Sequence, residues 1–368
     1  MKYEQYIQPK GVSEKIPVLG PVLRKLQFID CYCINTPNIL SQIRAFRPSI
    51  IYLRIVGSPL FFLDIGLKLA TRLKLPLVTH IMDDYEGLMA SSPNTLDRFW
   101  LRRLFRNQLD QVFKVSRQNY AISSNMALSF SRRYSVPFEP LHNGIDPEQW
   151  TPASREEVFM PGQNLKTMKK TCIRLLHAGA LSAEKESKTI KLVAKAVHEL
   201  NKTQEIRIEL VLNTQDSFLS VAEAYAYRFD GVIAQGYGTL SGYRSLLRHS
   251  DILIIARNFD EKSKAYTQYS FQNKLPEYMI SGTPILCVGP EWENSVQFLK
   301  KHSAAKIVTE SSVSAVICAI KELCQNRNTR DALADTAREV VSDYFNIRKI
   351  RKKFAEDLVA LVAKKDTA

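Results

Sequence analysis

The 368-residue chain contains no apolar run of about 18 residues, so no membrane-spanning helix is expected. Its longest apolar patch, near residue 60, is broken by Asp64 and Lys68, and the first residues, MKYEQYIQPKG, lack the apolar centre of a secretory signal. Cysteine is sparse. Of the six, Cys31 and Cys33 stand two apart without a second pair at metal-ligand spacing. Cys172, Cys287, Cys318 and Cys324 fall in apolar stretches, where inert core thiols of a reduced cytoplasm are expected. Also missing are zinc-finger spacing, the aromatic strand of RNA-binding modules, a helix-turn-helix, internal repeats and low-complexity segments. A nucleic-acid partner is therefore not expected.

What the chain has in excess is positive charge: 51 Lys and Arg against 37 Asp and Glu, a formal net charge of +14. That excess calls for a polyanionic partner, an anionic membrane surface or a phosphorylated substrate. The rest of the composition, 45% hydrophobic and 24% charged, is that of a globular protein long enough for two domains.

Residues 1–26, with Pro9, Gly11, Pro17, Gly20 and Pro21, read as a loop entering a short helix. Phe28–Ile34 is a candidate strand, and Thr36 and Pro37 open a helix to about Phe46. The apolar run Ser49–Val56, a helix from Pro59 to about Leu73, and the run Leu75–Met82 then form a βαβ unit. Ligands of such units bind beyond the carboxyl ends of the strands, where this chain places His80, Asp83, Asp84, Tyr85 and Glu86. Titratable groups there are raw material for acid–base chemistry; the alternative is a solvated turn with a helix cap. Residues 95–117 form an amphipathic helix with the apolar stripe Leu96, Phe99, Trp100, Leu104, Leu109, Val112 and Phe113. Arg98, Arg102, Arg103, Arg106 and Lys114 flank it, and the helix suits either a core with a solvated basic face or contact with anionic lipid.

Residues 147–170, rich in proline and lysine, read as a connection between domains. Beyond them, strands at 172–180, 206–213, 231–236, 251–256 and 284–289 alternate with helical stretches, the pattern of a doubly wound parallel sheet. The turn after the first carries Gly179, with Lys185 and Lys188 beyond it, a place where backbone and cations can approach phosphate. A basic helix from Tyr344 ends the chain. The stretch Tyr269–Gly289, YSFQNKLPEYMISGTPILCVG, is read as loop, short helix and strand: Pro276 fits the first turn, Gly282 the left-handed stop, and Pro284 forbids continuation. Lys274 and Glu277 lie three apart on one face, either as an ion pair or as partners for a diphosphate and a vicinal diol.

Ser270, Lys274, Glu277, Tyr278, Gly282 and Pro284 resemble the nucleotide-sugar signature S-x-P-x-K-x-x-E-Y-x-x-x-G-x-P of family 4-type glycosyltransferases with the GT-B fold. The segments HIMDD (His80–Asp84), S-x-x-M (Ser123–Met126) and HNGID (His142–Asp146) are similar as well. The resemblance implies two Rossmann-like doubly wound α/β domains facing across a cleft: an acceptor-side domain 1–146, a linker 147–170, a donor domain 171–343, and a last helix 344–368 crossing back. It implies transfer of a sugar from a nucleotide diphosphate donor to a hydroxyl acceptor, retaining and metal-independent, in surface polysaccharide or glycolipid synthesis on the cytoplasmic membrane face. No cofactor is implied, and the absence of a D-x-D motif agrees with metal independence. Lys274 then meets the diphosphate and Glu277 the ribose, with Ser270, Gly179, Lys185 and Lys188 completing the donor site. Asp83, ahead of Asp84 and His80, meets the acceptor hydroxyl.

Departures from the family pattern are specific. Gln272 stands for the usual Pro, Tyr269 for the first Glu of E-x7-E, and Ala180 for the Arg of G-R-L-x-x-x-K-G. Nothing before Phe28 has the form of the family's first strand and glycine-rich turn, which implies loss or divergence of that unit. These departures keep open a non-catalytic GT-B-like subunit, and the fold also accommodates a nucleotide-sugar epimerase.

Overall fold

The computed structural model describes residues 41–57, 61–92, 94–150, 172–203 and 206–366. The expected strand Phe28–Ile34, the Thr36–Pro37 cap, Pro59, the Cys31/Cys33 pair, the missing first unit and most of the linker lie outside them.

The first sheet is parallel, in the order β1 (Ile51–Ile55), β2 (Leu77–Ile81), β3 (Gln118–Ala121), β4 (Glu139–Pro140). Its register pairs Ile51 with Leu77 and Val78 with Gln118. Helices α1 (Phe61–Leu73), α2 (Tyr85–Ala90), α3 (Arg102–Val115) and α4 (Ser124–Tyr134) connect and cover the strands. Ile55, Leu63, Leu77, Ile81, Phe105, Leu109, Phe113 and Phe130 make its core. β2 is buried along its whole length, as a near-continuous apolar run requires.

The helix read over 95–117 is two pieces. A π-helical segment, Leu96–Leu101, runs into α3. The wider π turn changes the angular advance per residue, so the apolar stripe splits. Phe105, Leu109, Val112 and Phe113 reach the core, whereas Leu96, Phe99, Trp100 and Leu104 face out, Phe99 at 69% and Trp100 at 55% exposure. The basic flank is also not uniformly solvated. Arg102 and Arg106 reach the buried Glu86 at 3.2 and 3.5 Å, where Tyr134 also donates its hydroxyl at 3.1 Å.

The second sheet is parallel and six-stranded, in the order β10-β9-β8-β5-β6-β7. Its strands are β5 (Cys172–Ala178), β6 (Arg207–Thr214), β7 (Val232–Gly236), β8 (Ile252–Ala256), β9 (Ile285–Val288) and β10 (Lys306–Val308). The chain winds outward from β5 through β6 and β7, then returns to the other side of β5 with β8. The order therefore reverses between β5 and β8, and a crevice opens beyond their carboxyl ends. Helices α5 (Ser187–Asn201), α6 (Asp216–Arg228), α7 (Leu240–His249), α8 (Glu261–Thr267), α9 (Leu275–Ser281), α10 (Asn294–Lys301), α11 (Val313–Gln325) and α12 (Arg327–Tyr344) complete the domain. Helix α9 ends at Gly282, φ +77°, as the sequence requires. Of the cysteines expected in the core, Cys287 is buried, but Cys318 is exposed on the outer face of α11.

Two strands of chain cross between the domains side by side. Ile145 N donates to Phe345 O at 2.8 Å and Ile347 N to Ile145 O at 3.0 Å. Beyond this crossing α13 (Ile347–Asp366) lies on the first sheet: Phe354 packs edge-on against Tyr52 and Tyr120, and Tyr120 donates its hydroxyl to Asp357 at 2.7 Å.

Candidate functional site

A cavity of about 1000 Å³ separates the two domains. The first contributes Arg54, Met82, Asp83, Ile122 and Asn143. The second contributes the turns after β5, β7 and β8 and the start of α9, among them Gly179, Lys185, Glu186, Tyr237, Arg257, Ser270, Lys274 and Glu277.

Local chain chemistry builds the second wall. Strand β5 ends in Gly179, whose φ of +146° is a conformation that side chains with Cβ resist. A Cβ added there would stand 3.0 Å from Lys274 Nζ. The bare backbone of one element thus admits the ammonium of another. Lys274 occupies the N-cap position of α9, and its Nζ lies 3.2 Å from each ring nitrogen of His177. Burial, together with the positive Arg257, lowers its pKa to about 7 against the opposing pull of Glu186. Burial and the same two cations lower His177 to about 3, so its ring is neutral. Tyr278 fixes α9 to the strand end: Ala178 N donates to its hydroxyl at 2.7 Å.

Glu277 accepts the hydroxyl of Tyr243 at 2.8 Å and lines the same cavity. Among the described residues no ion pair joins Lys274 to Glu277; the two point at different partners. Lys185 is half-buried in the cavity wall, where its backbone carbonyl accepts from Asn258 N at 2.8 Å. Lys188 is separated from this group. Its ammonium pairs with Asp260 at 2.9 Å, it is exposed, and it is not among the residues of the cavity wall.

Ser270 is where the domains meet. Its hydroxyl lies 3.3 Å from Met82 O and 3.4 Å from Asp83 Oδ1. Asp83 faces the cavity, with Tyr85 donating to its other oxygen at 3.3 Å. Its neighbours have other work. Asp84 is buried, caps α2 through Gly87 N at 3.0 Å, and receives Arg133 through both oxygens at 2.8 and 2.9 Å. His80 is buried in the sheet: Tyr52 Oη stands 2.7 Å from Nδ1 and Leu141 O 2.9 Å from Nε2. A carbonyl only accepts, so Nε2 carries the proton and Nδ1 accepts from Tyr52. Burial lowers the His80 pKa to about 4, and neither nitrogen is left for a ligand. The elements explain the division: His80 lies within β2, Asp84 caps α2, and Asp83 stands in the turn between them.

Two cavity groups belong to no motif, although the polar loop Ile255–Ser270 that holds one of them follows a buried strand, where ligand contacts are expected. Arg257 follows β8 and is 4% exposed, held by Glu293 at 2.9 Å and Glu186 at 3.4 Å. In the sequence it is one cation of a polar loop; only the sheet order brings it beside Gly179. Glu186, the N-cap residue of α5, lies in the same cavity-lining turn after β5 and is paired with Arg257 from the end of β8. Tyr269, at the place of the family's first Glu, turns away from the cavity. Its hydroxyl receives Ser129 Oγ at 2.9 Å and its carbonyl Ser123 Oγ at 2.5 Å, both from the first domain.

Compared with known proteins, the chain matches no family model and no curated protein by sequence. It is similar in structure to Anabaena HepE in complex with UDP, at TM-score 0.62 and 13% identity over 94% of this chain and 84% of that one. It is similar to sucrose-phosphate synthase from Thermosynechococcus elongatus, at TM-score 0.64 and 12% identity over 89% and 77%. It is also similar to the α,α-trehalose 6-phosphate synthase of Burkholderia multivorans, at TM-score 0.62 and 11% identity over 88% and 75%. The fold is therefore GT-B: two Rossmann-like domains facing across a cleft.

Proposed function

We propose that the protein is a glycosyltransferase that moves a sugar from a nucleotide diphosphate sugar to a hydroxyl acceptor. The observation that carries this reading is the meeting of Gly179 and Lys274, from two separate turns, on one cavity wall, so close that a Cβ at 179 would crowd the ammonium at 3.0 Å. A diphosphate laid there meets Lys274, Lys185 and the uncovered backbone of Gly179. Glu277, in the first turn of α9 three residues beyond Lys274, accepts the ribose hydroxyls. That HepE is solved with UDP supports a nucleotide at the equivalent place of this fold.

Asp83 enters the cavity from the opposite wall and receives the acceptor. The acceptor oxygen bonds to the anomeric carbon as the bond from that carbon to the diphosphate oxygen breaks. The acceptor proton passes to the Asp83 carboxylate or to the departing phosphate, and retention follows when both oxygens occupy one face of the sugar. Cations of the second wall, rather than a metal ion, meet the leaving charge. Polysaccharide or glycolipid synthesis is the setting that suits a lipid-linked acceptor. The outward Phe99 and Trp100, with arginines beside them, suit peripheral docking to an anionic bilayer on the cytoplasmic side.

A binding subunit without transferase activity is the second reading, favoured by Tyr269, which leaves no carboxylate at that position. Calorimetric titration with UDP and uridine tests the donor site. Lys274→Ala weakens UDP and leaves uridine unchanged, while Glu277→Gln weakens both by about 1.5–3 kcal/mol, the scale of a hydrogen bond to a charged group. Unchanged affinities in both variants remove the donor from this wall. Release of free nucleotide from labelled donors separates the enzyme from the binding subunit.

A further inference from the structure

We infer that Arg257 makes the diphosphate contact that Ala180 cannot, and that Glu186 is the counter-ion it exchanges for the donor. The inference rests on the donor reading above. Strand β5 pairs with β8 through Leu175↔Ile252 and Leu176↔Leu253, and beyond the ends of these two neighbouring strands Ala180 and Arg257 line the same cavity. The cation missing from one strand end is thus present on the neighbouring one, at the point where the strand order reverses.

Its attachments separate into a fixed one and an exchangeable one. Glu293 is fully buried and committed: it accepts Arg257 Nε at 2.9 Å, Val296 N at 2.9 Å and Ser295 Oγ at 3.2 Å. It orients the guanidinium. The backbone is pinned too, by Arg257 N to Val288 O at 2.9 Å and by Thr189 Oγ1 to Arg257 O at 2.8 Å. Glu186 holds Nη1 at a longer 3.4 Å, and its other oxygen, Oε2, is buried with no hydrogen-bond partner. Both residues line the cavity. An incoming diphosphate offers the guanidinium a planar pair of oxygens in place of one long contact. Glu186 then remains as the anion beside Lys274 and limits the charge that the wall presents to the ligand.

Titration of wild type, Arg257→Gln, Arg257→Lys and Glu186→Gln with UDP, uridine and inorganic pyrophosphate tests this, with a thermal melt to confirm folding. Arg257→Gln is expected to weaken UDP and pyrophosphate at least tenfold with uridine unchanged, and Arg257→Lys to recover part of the loss. Glu186→Gln removes the counter-ion but also the anion that holds the Lys274 pKa up, so the comparison is made at pH 5.5, where Lys274 stays protonated, and there pyrophosphate binds several-fold more tightly. A purely structural ion pair gives the opposite pattern: both variants melt earlier, and Glu186→Gln shows no gain in affinity. Normal UDP binding by Arg257→Gln, or no gain in folded Glu186→Gln, overturns the inference while leaving the donor reading intact. If Arg257→Gln does not fold, the Glu186→Gln result decides alone. Wild-type protein that binds neither UDP nor pyrophosphate overturns the donor reading itself, and this inference with it.

Discussion

Lys274 is kept positive only with effort. Free of ligand, its amine is buried beside Arg257 and titrates near pH 7, well below the 10.5 of an exposed lysine. The unfolded chain therefore binds more protons than the folded one between those values, so this residue makes stability rise with pH above about 7. Below pH 7 its full cost is present, and Lys274→Met is expected to raise the melting temperature of the ligand-free protein most strongly there. Binding has the opposite sign, because an anion requires the protonated amine. Affinity for UDP is expected to fall between pH 7 and 9 by up to about tenfold per unit, while the Lys274→Met variant, already weak, stays flat. Calorimetry over that range checks both. Gly179→Ala is a sharper probe: strain at φ +146° and a Cβ 3.0 Å from Nζ are expected to cost about 1–3 kcal/mol of stability and to displace the ammonium from the diphosphate. An alanine variant with unchanged melting and UDP affinity would refute this packing. The motif around Lys274 was legible in sequence because its helix signals are local. Lys188 and His80 were misleading for the complementary reason: Asp260 is 72 residues from one and Leu141 61 residues from the other, and no local pattern announces such partners.

Among elements, the strands were the most readable. Runs such as ILIIA and ILCV have no polar face, which already places them inside a parallel sheet. The alternation with helices gave the fold class, whereas the order of strands, on which Arg257 depends, is not written in any one of them. The π segment Leu96–Leu101 was invisible, since a single stripe drawn at ordinary helical pitch ran through it. Its consequence is the apolar and basic patch on the outer face. Phe99→Ser with Trp100→Ser is expected to abolish sedimentation with anionic vesicles at low salt and leave UDP affinity unchanged. Wild-type binding should fade as salt rises, because charge is screened beyond roughly 8–10 Å near physiological ionic strength. Equal sedimentation with neutral vesicles would show that the arginines take no part.

At the scale of the molecule, the seam between domains sets a polar cluster beside aromatic contacts, Phe130 against Tyr269 at 6.3 Å and His142 stacked on Tyr344 at 4.4 Å. Tyr269 accepts hydrogen bonds from Ser123 and Ser129, Ser270 donates to Met82 O, and Asn125 reaches Asn294 and Gln297 at 2.8 Å. Tyr269→Phe removes the bond to Ser129 and is expected to cost about 0.5–1.5 kcal/mol, with a larger radius in small-angle scattering; an unchanged radius would show that the seam does not depend on it. Helix α13 belongs to one half by sequence and to the other by packing, where Phe354 and Asp357 serve Tyr120. A cut anywhere in 151–171 would leave the first half with an uncovered aromatic sheet and the second with a stranded basic helix. Recombination with other proteins of this architecture must therefore exchange the segment 172–344 between two junctions and keep residues 345–366 native to the first half.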